Sequence, residues 1–377
     1  MRKSSVADLL QKYRLLKGLC ASGRAYTGPF FVTLDLTRRC NLHCLGCRFH
    51  SRESSRPSSG DRDIVDFPLE WAEGLFADVA GLHTRALFLV GDGEPFLHPH
   101  IFDIIGLAKG HGLYTTITTN GTLLDDRRVR QVIDSDLDSI HVSLWASSCE
   151  SYAQQYPGTD PASFHRVIEG LKALSTAKAA RGVQTPRVTL LNPTNRFNYR
   201  DVGKMAALAR ETGCDEVSFT PFKTNRGQFE RYALSKEEQA DLRQRLTALR
   251  KQIEADALDH TIDRFLVRSE FHGTNRELPC YVCWFHSRIK VDGTVVSCGR
   301  SGLALGSLQR ERFAEIWNGE AYRKERIRRL APDGYRYTDQ IADCETCGFA
   351  GDNRKIHRVF RCLLPVLQRV HRASESP

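Results

Sequence analysis

An α/β fold built on a parallel sheet, open or closed into a barrel, follows from three observations on the 377-residue sequence. Six short β-branched or aromatic runs recur between residues 30 and 222, and segments of helical periodicity lie between them. Alternation of strand and helix over about 200 residues is the pattern of parallel strands joined by helical crossovers. After residue 275 the sequence turns shorter in rhythm, richer in turns and in cysteine, which marks a second, smaller domain.

The strands, in order, are "FFVTLDLT" (30–37), "RALFLVG" (85–91), "YTTITTN" (114–120), "SIHVSLWA" (139–146), "RVTLLNP" (187–193) and "EVSFTPF" (216–222). Between them, "HIFDIIGLAKGHG" and "DVGKMAALARETG" space apolar residues at i, i+3 and i+4, the period of an amphipathic helix. Asp160-Pro161 starts a helix with a capping side chain and a proline in its first turn. Gly213 suits a helix stop. Ser235-x-x-Glu238 is a capping box that opens a long charged helix, read as a connector between domains. The polar, aperiodic segment 48–63 reads as a mobile loop beside the first cysteines. Five units result: a basic amphipathic N-terminal helix (1–27), the strand–helix core (28–228), a helical connector (229–274), the cysteine-rich domain (275–350) and a basic amphipathic tail (351–377).

No run approaches the ~20 apolar residues needed to span a membrane. The basic N-terminus lacks an apolar core and cleavage site, so it is not a secretory signal. The expected location is a reducing cytoplasm, where twelve cysteines serve as metal ligands or free thiols rather than disulfides. The net charge of +9 sits at the ends: six basic against one acidic residue in 1–30, and six against two in 351–377. The neutral centre argues against the one reading from another class, a zinc-bound nucleic-acid-binding protein. Both basic ends are expected to pack on the fold, with a peripheral contact to an anionic membrane as the alternative.

Chemistry collects where strands end. After the first strand stand Cys40, Cys44 and Cys47, spaced C-x3-C-x2-C. A closed zinc site wants four ligands, whereas three thiolates on a four-iron cube leave one iron open, as a catalytic site requires. "GDGEP" (91–95) follows the second strand, "TTNG" (118–121) ends the third, and Ser143 lies in the fourth. In the second domain, a hairpin turning at Asp292-Gly293 brings Cys298 near Cys280, and "CETC" adds Cys344 and Cys347. On spacing alone these four fit zinc or a cluster equally; Cys283 competes with Cys280, which is favoured because Trp284 follows Cys283.

The cysteine triplet, "GDGEP" and the strand-four serine together resemble the radical S-adenosylmethionine (radical SAM) superfamily across roughly residues 28–225. The resemblance implies a partial (β/α)6 TIM-like barrel followed by a small C-terminal α+β iron–sulfur domain. It implies that Cys40, Cys44 and Cys47 hold a 4Fe–4S cluster whose open iron binds the methionine part of S-adenosylmethionine. Gly91, Gly93 and Glu94 would line the methionine amino group; Ser143, Thr119 and Asn120 would lie along its carboxylate and the ribose. One electron, from a donor such as flavodoxin or ferredoxin, would release a 5′-deoxyadenosyl radical that takes a hydrogen atom from a substrate carbon. Gly46 departs from the pattern, since the superfamily usually has a bulky residue there that packs near adenine; Phe49 is a candidate replacement. No residue stands out as a catalytic acid or base. Residues 280–347, with "LGSL" and "FAEIWNGEAYRKER", resemble the auxiliary-cluster domains called SPASM, or twitch when shortened. That implies a second 4Fe–4S cluster on Cys280, Cys298, Cys344 and Cys347. The expected substrate is a small molecule such as a sugar, cyclitol or lipid-linked compound, undergoing dehydrogenation, epimerisation or rearrangement. The alternative is a peptide or protein; only about 30 residues precede the first strand, too few for a domain that binds a leader, so a peptide would need a separate recognition protein.

Overall fold

The computed structural model describes residues 6–19, 23–54, 63–222, 224, 228–256, 258–269, 278–330 and 347–361. Six parallel strands, β1 (Phe31–Asp35), β2 (Ala86–Val90), β3 (Tyr114–Thr119), β4 (Ser139–Ser143), β5 (Arg187–Thr194) and β6 (Glu216–Pro221), lie side by side in sequence order. Helices alternate with them: α1 (Val6–Leu19) precedes β1, then come α2 (Leu69–Gly81), α3 (Ile101–Gly110), α4 (Asp126–Asp134), α5 (Cys149–Gln155), α6 (Ala162–Arg181) and α7 (Val202–Glu211). A short β7 (Asp259–His260) pairs with β6 and ends the sheet on that side. This is the expected α/β architecture, a parallel sheet curved into an unclosed barrel.

Side chains alternate along the strands as period two demands. Val32, Leu34, Leu89, Ile140 and Leu190 are fully buried in the layer of helices. The opposite face carries Thr33, Thr118, His141, Ser143, Thr189 and Ser218, aligned across the sheet by its register. The same face carries Phe31, Phe88 and Leu191, so it is mixed, with hydroxyls set among apolar side chains.

Local chemistry sets the helix ends. Asp160 Oδ1 accepts from the Ala162 amide at 3.0 Å, with Pro161 in helical conformation just inside it. Gly213 adopts φ +70°, open to glycine at little cost, and terminates α7. The Ser235–Glu238 capping box forms as read and opens α8 (Lys236–Ala255). That helix, read from sequence as a connector, buries Leu242, Leu246, Leu249 and Ile253 and packs along α7 and α9 (Ile262–Ser269). The N-terminal helix lays Leu15 and Leu19 into the core and bonds Gln11 to the His83 carbonyl at 2.9 Å, leaving Leu9, Leu10 and Tyr13 exposed. The described tail, α13 (Ala350–Phe360), buries Phe360 and accepts the Tyr281 amide on Asn353 at 2.9 Å. Leu363, Leu364 and Leu367, read as part of the same amphipathic face, lie outside the described residues. No helix among the described residues is long and apolar enough to cross a membrane.

The cysteine-rich segment continues the barrel sheet. After the single-turn α10 (Val282–Phe285), β8 (His286–Ile289) pairs parallel with β1, and β9 (Thr294–Val296) returns antiparallel. Gly293, at φ +77°, makes the tight turn expected at Asp292-Gly293. A two-residue β10 (Gly306–Ser307) closes this edge, followed by α11 (Phe313–Asn318) and α12 (Glu320–Leu330). Buried Arg326 stacks among Trp284, Trp317 and Tyr322 and donates to the Cys283 carbonyl at 2.9 Å.

His286 knits β8 to both neighbours. Its Nδ1 lies 2.9 Å from the Ser297 carbonyl, which only accepts, so Nδ1 carries the proton and Nε2 accepts from the Thr33 hydroxyl at 3.0 Å. Burial pushes this imidazole down to about 3, against about 6.5 when unfolded. A histidine with a depressed folded pKa gives full stability above the unfolded value and loses it as pH falls toward the folded one. Between pH 6 and pH 4 the unfolded state alone binds this proton, which costs about 1.4 kcal/mol of stability per pH unit. His286→Gln keeps a donor and an acceptor but cannot titrate. Anaerobic urea unfolding of wild type should therefore lose stability more steeply over this range than the variant; parallel slopes would contradict the neutral, buried assignment.

Candidate active site

The three N-terminal cysteines lie on the loop leaving β1, and their thiols interact with one another and with Glu94. Burial first, then the neighbouring charges, push Cys40 up to about 11 and Cys44 well above its ordinary value. Such thiols stay protonated unless a cationic centre takes them as ligands. Cys47 Sγ accepts from the amides of Phe49 and His50, both at 3.4 Å. Among the described residues no three side chains of His, Cys, Asp or Glu converge closely enough to hold one metal ion. The donor set, three thiols on one loop with N–H donors aimed at the Cys47 sulfur, suits a multi-iron cluster, whose thiolates bind separate irons.

Why the glycine turn follows β2 becomes clear here. A Cβ on Gly93 would come within 2.0 Å of the Arg39 carbonyl oxygen, so only glycine lets this backbone touch the residue before Cys40. The Glu94 amide donates to that same carbonyl at 2.7 Å. The Glu94 side chain is 2 % exposed and accepts from the Thr119 hydroxyl (2.7 Å), the Asn120 amide (2.7 Å) and the Phe96 amide (3.1 Å). Burial raises its pKa and these donors oppose the rise. Glu94 thus locks the ends of β2 and β3 together. Thr119 spends its hydroxyl on this carboxylate, while the Asn120 side chain reaches Asn41, beside Cys40, at 2.8 Å. Asn41 also donates to Thr122 at 2.8 Å, so the "TNG" turn grips the cysteine loop directly. Asn41 was missed from sequence; its position beside the first cysteine was the available signal.

Ser143 lies at the end of β4, where its hydroxyl accepts from the Trp145 indole at 3.0 Å. Gly46 is held at φ +74°, and a Cβ there would fall 2.4 Å from Cζ of Phe222. The aromatic ring beside this position comes from the end of β6 rather than from Phe49, whose ring lies under Arg48. Phe222 in turn meets Trp145 edge-on, with ring centroids 6.2 Å apart. Nothing in the sequence near Gly46 points to Phe222, which is distant along the polypeptide. Cys149, past β4, sets its thiol 3.2 Å from His165 Nε2.

In the second cysteine group, Arg329 donates from Nη1 to Cys280 Sγ at 3.3 Å and from Nη2 to Ser297 at 3.0 Å, beside Cys298. Cys347 Sγ accepts from the Phe349 amide at 3.3 Å, as Cys47 does from Phe49. Cys283 is fully buried and pushed up to about 12 by that burial. Cys344 lies outside the described residues. A cavity of 390 Å³ lies against the second cysteine group, lined by Cys298 and Cys347 and, from the first cysteine loop, by Gly46 and Arg48.

Residues 34–191 match the radical SAM superfamily, and residues 280–348 match an iron–sulfur cluster-binding domain, SPASM. The protein is a radical SAM enzyme with a C-terminal SPASM domain. Its radical SAM domain implies a 4Fe–4S cluster and S-adenosylmethionine, and its SPASM domain implies auxiliary iron–sulfur chemistry. Among curated relatives, AdoMet-dependent heme synthase of Methanosarcina barkeri is 26 % identical over 79 % of this chain and 85 % of its own length. PqqA peptide cyclase of Gluconobacter oxydans is 25 % identical over 77 % of this chain and 76 % of its own. Among solved structures, Streptococcus suis SuiB bound to precursor peptide SuiA superposes with TM-score 0.63 and 15 % identity, over 86 % of this chain and 73 % of SuiB.

The contact at Gly46 is testable in the radical SAM domain. Gly46→Ala meets both an unfavourable φ and the Phe222 ring, so the loop carrying Cys44 and Cys47 must shift. After anaerobic reconstitution the variant should hold about four fewer irons than wild type, and adding Phe222→Ala should restore part of them. An unchanged iron content in Gly46→Ala would show that this loop tolerates displacement.

Proposed function

We propose that this radical SAM/SPASM enzyme modifies a peptide or protein segment, removing a hydrogen atom from a carbon of that segment. The observation that carries this reading is a chamber that does not close: β7 and β10 end the sheet on opposite edges, and the cavity against the second cysteine group draws on both domains. Two similarities support it, the one to a peptide cyclase and the one to SuiB in complex with a precursor peptide. They favour the peptide alternative over the small-molecule substrate expected from sequence.

Cys40, Cys44 and Cys47 are the proposed ligands of the catalytic 4Fe–4S cluster. Cys280, Cys298, Cys344 and Cys347 are those of the auxiliary cluster; the sealed position of Cys283 supports Cys280 over it. When bound and reduced by an external donor such as ferredoxin or flavodoxin, the catalytic cluster with S-adenosylmethionine supplies a 5′-deoxyadenosyl radical. The protein's own residues do the positioning. Gly91 and Gly93 let the β2 turn lie against the cysteine loop, Glu94 fixes that turn to β3, and Ser143 with Trp145 forms the β4 side of the mouth. Thr119 and Asn120 are assigned to holding this frame. A reducing cytoplasm suits both thiol groups.

The reconstituted enzyme should hold about eight irons, two four-iron clusters, and release 5′-deoxyadenosine with dithionite and S-adenosylmethionine. Cys40→Ala should cut that release by at least ~100-fold, a loss of about 2.7 kcal/mol in transition-state stabilisation. Unchanged release would refute the assignment of that site. Small peptides encoded beside the gene, co-expressed with the enzyme, should change mass with wild type and not with Cys40→Ala. If no peptide shifts in mass while a small metabolite stimulates 5′-deoxyadenosine release, the peptide reading fails.

A further inference from the structure

The helix after β4 rests on the first cysteine loop. At the end of α5 the Gln155 carbonyl accepts from the amide of Leu45, the residue after Cys44, at 2.8 Å. Three residues earlier on α5 stands Tyr152, 1 % exposed, its ring centroid 4.3 Å from that of Tyr156 and 5.8 Å from that of Phe164. The two tyrosines differ in what their hydroxyls do. Tyr156 accepts from the Trp145 amide at 2.9 Å and donates to the Ser143 carbonyl at 3.3 Å. The Tyr152 hydroxyl is buried and has no hydrogen-bond partner among the described residues. Arg166, on the neighbouring α6, is already bonded to Asp160 at 2.9 Å and to Ser163 at 2.6 Å. A buried hydroxyl that makes no hydrogen bond is costly. Burial first, then the Cys44 thiol, hold this phenol above its ordinary range, so the proton stays on oxygen and is free to be donated. Around the loop, Cys40 lies against the amides of Leu42 and Asn41, and Cys47 against those of Phe49 and His50. Cys44 has the amide of its own residue, with Tyr152 as the unspent donor beside it.

We propose that Tyr152 donates a hydrogen bond to a sulfur at the corner of the catalytic cluster held by Cys44, and so raises the potential at which that cluster takes up its electron. An added electron spreads negative charge onto the sulfurs, and a hydrogen bond to a charged acceptor is stronger than one to a neutral acceptor. Donors to sulfur therefore favour the reduced cluster, which makes them one of the protein's levers on iron–sulfur potentials. Buried as it is, Tyr152 acts on the cluster and not on the substrate. The inference rests on Cys40, Cys44 and Cys47 as the ligands of the catalytic cluster, and it is independent of what the substrate is.

The experiment compares anaerobically reconstituted wild type with Tyr152→Phe, which removes the oxygen and keeps the ring, in redox titrations followed by electron paramagnetic resonance. The catalytic cluster is recognised as the one whose signal changes on adding S-adenosylmethionine. At equal iron content, the ratio of reduced to oxidised catalytic cluster at a fixed potential should fall about tenfold, a midpoint lower by ~59 mV for one electron, while the auxiliary cluster keeps its midpoint. Equal midpoints, or the same shift in both clusters, overturn the proposal. Should Tyr152→Phe hold less iron, replacing Tyr152 by 3-fluorotyrosine, a stronger donor of nearly the same shape, should raise the catalytic midpoint; no change overturns the proposal as well. Without iron, Tyr152→Phe should unfold at the same urea concentration as wild type or a higher one, because the apoprotein makes no bond with this hydroxyl. A clear loss of stability there would show that the hydroxyl serves the fold instead. Wild type without any cluster signal that responds to S-adenosylmethionine refutes the ligand assignment itself, a result distinct from equal midpoints.

Discussion

The contact on which the site depends is a backbone one: Gly93 lies directly against the carbonyl of Arg39, the residue before Cys40. Any side chain there would push the β2 turn off the cysteine loop. With the contact made, Glu94 is drawn out of solvent, and a buried carboxylate is costly unless its oxygens are satisfied. Thr119, Asn120 and Phe96 satisfy them, and Asn120 passes the constraint on through Asn41. Three loops from three strands are thereby fixed to each other without using the cysteine thiols. That leaves the sulfurs for a cluster and gives it a preorganised seat.

A second constraint joins the domains. Because β8 pairs with β1 rather than forming a sheet elsewhere, the cysteine-rich hairpin becomes an extra edge of the barrel. Its ion pair, Arg288 with Asp35, buries the carboxylate and leaves the guanidinium partly exposed on the inner face. Burial pushes Asp35 up to about 6, although Arg288 pulls it down. A pair under such desolvation adds little stability in itself, but it defines one arrangement of the two elements. The consequence is a cavity with walls from both domains, Gly46 and Arg48 on one side and Cys298 and Cys347 on the other.

What could be read in the sequence is what local pattern encodes. All six barrel strands and the Ser235 capping box are written in consecutive residues, and the strand starts agree with the structure to within a residue. β4 stops at Ser143 rather than running to Ala146, because past it the Trp145 amide turns to the hydroxyl of Tyr156. C-x3-C-x2-C and "GDGEP" are legible for the same reason, each being a single loop. Phe222 against Gly46, Arg288 on Asp35 and Asn120 on Asn41 join positions far apart in the sequence, and no period or spacing records them. Thr119 shows the limit from another side: its place at a strand end is readable, but the direction of its hydroxyl depends on Glu94 across the sheet.

Radical chemistry requires water to be kept from the reacting carbon, and the inner face of this barrel sets Thr118, His141, Ser143 and Ser218 among the apolar Phe88 and Leu191. On the proposed peptide reading, the substrate itself would exclude that water. A length of polypeptide brings both volume and alternating N–H and C=O groups, which hydroxyls on neighbouring strands can satisfy in either sense. An unclosed sheet would give such a segment a way in, since β7 and β10 end it on opposite edges.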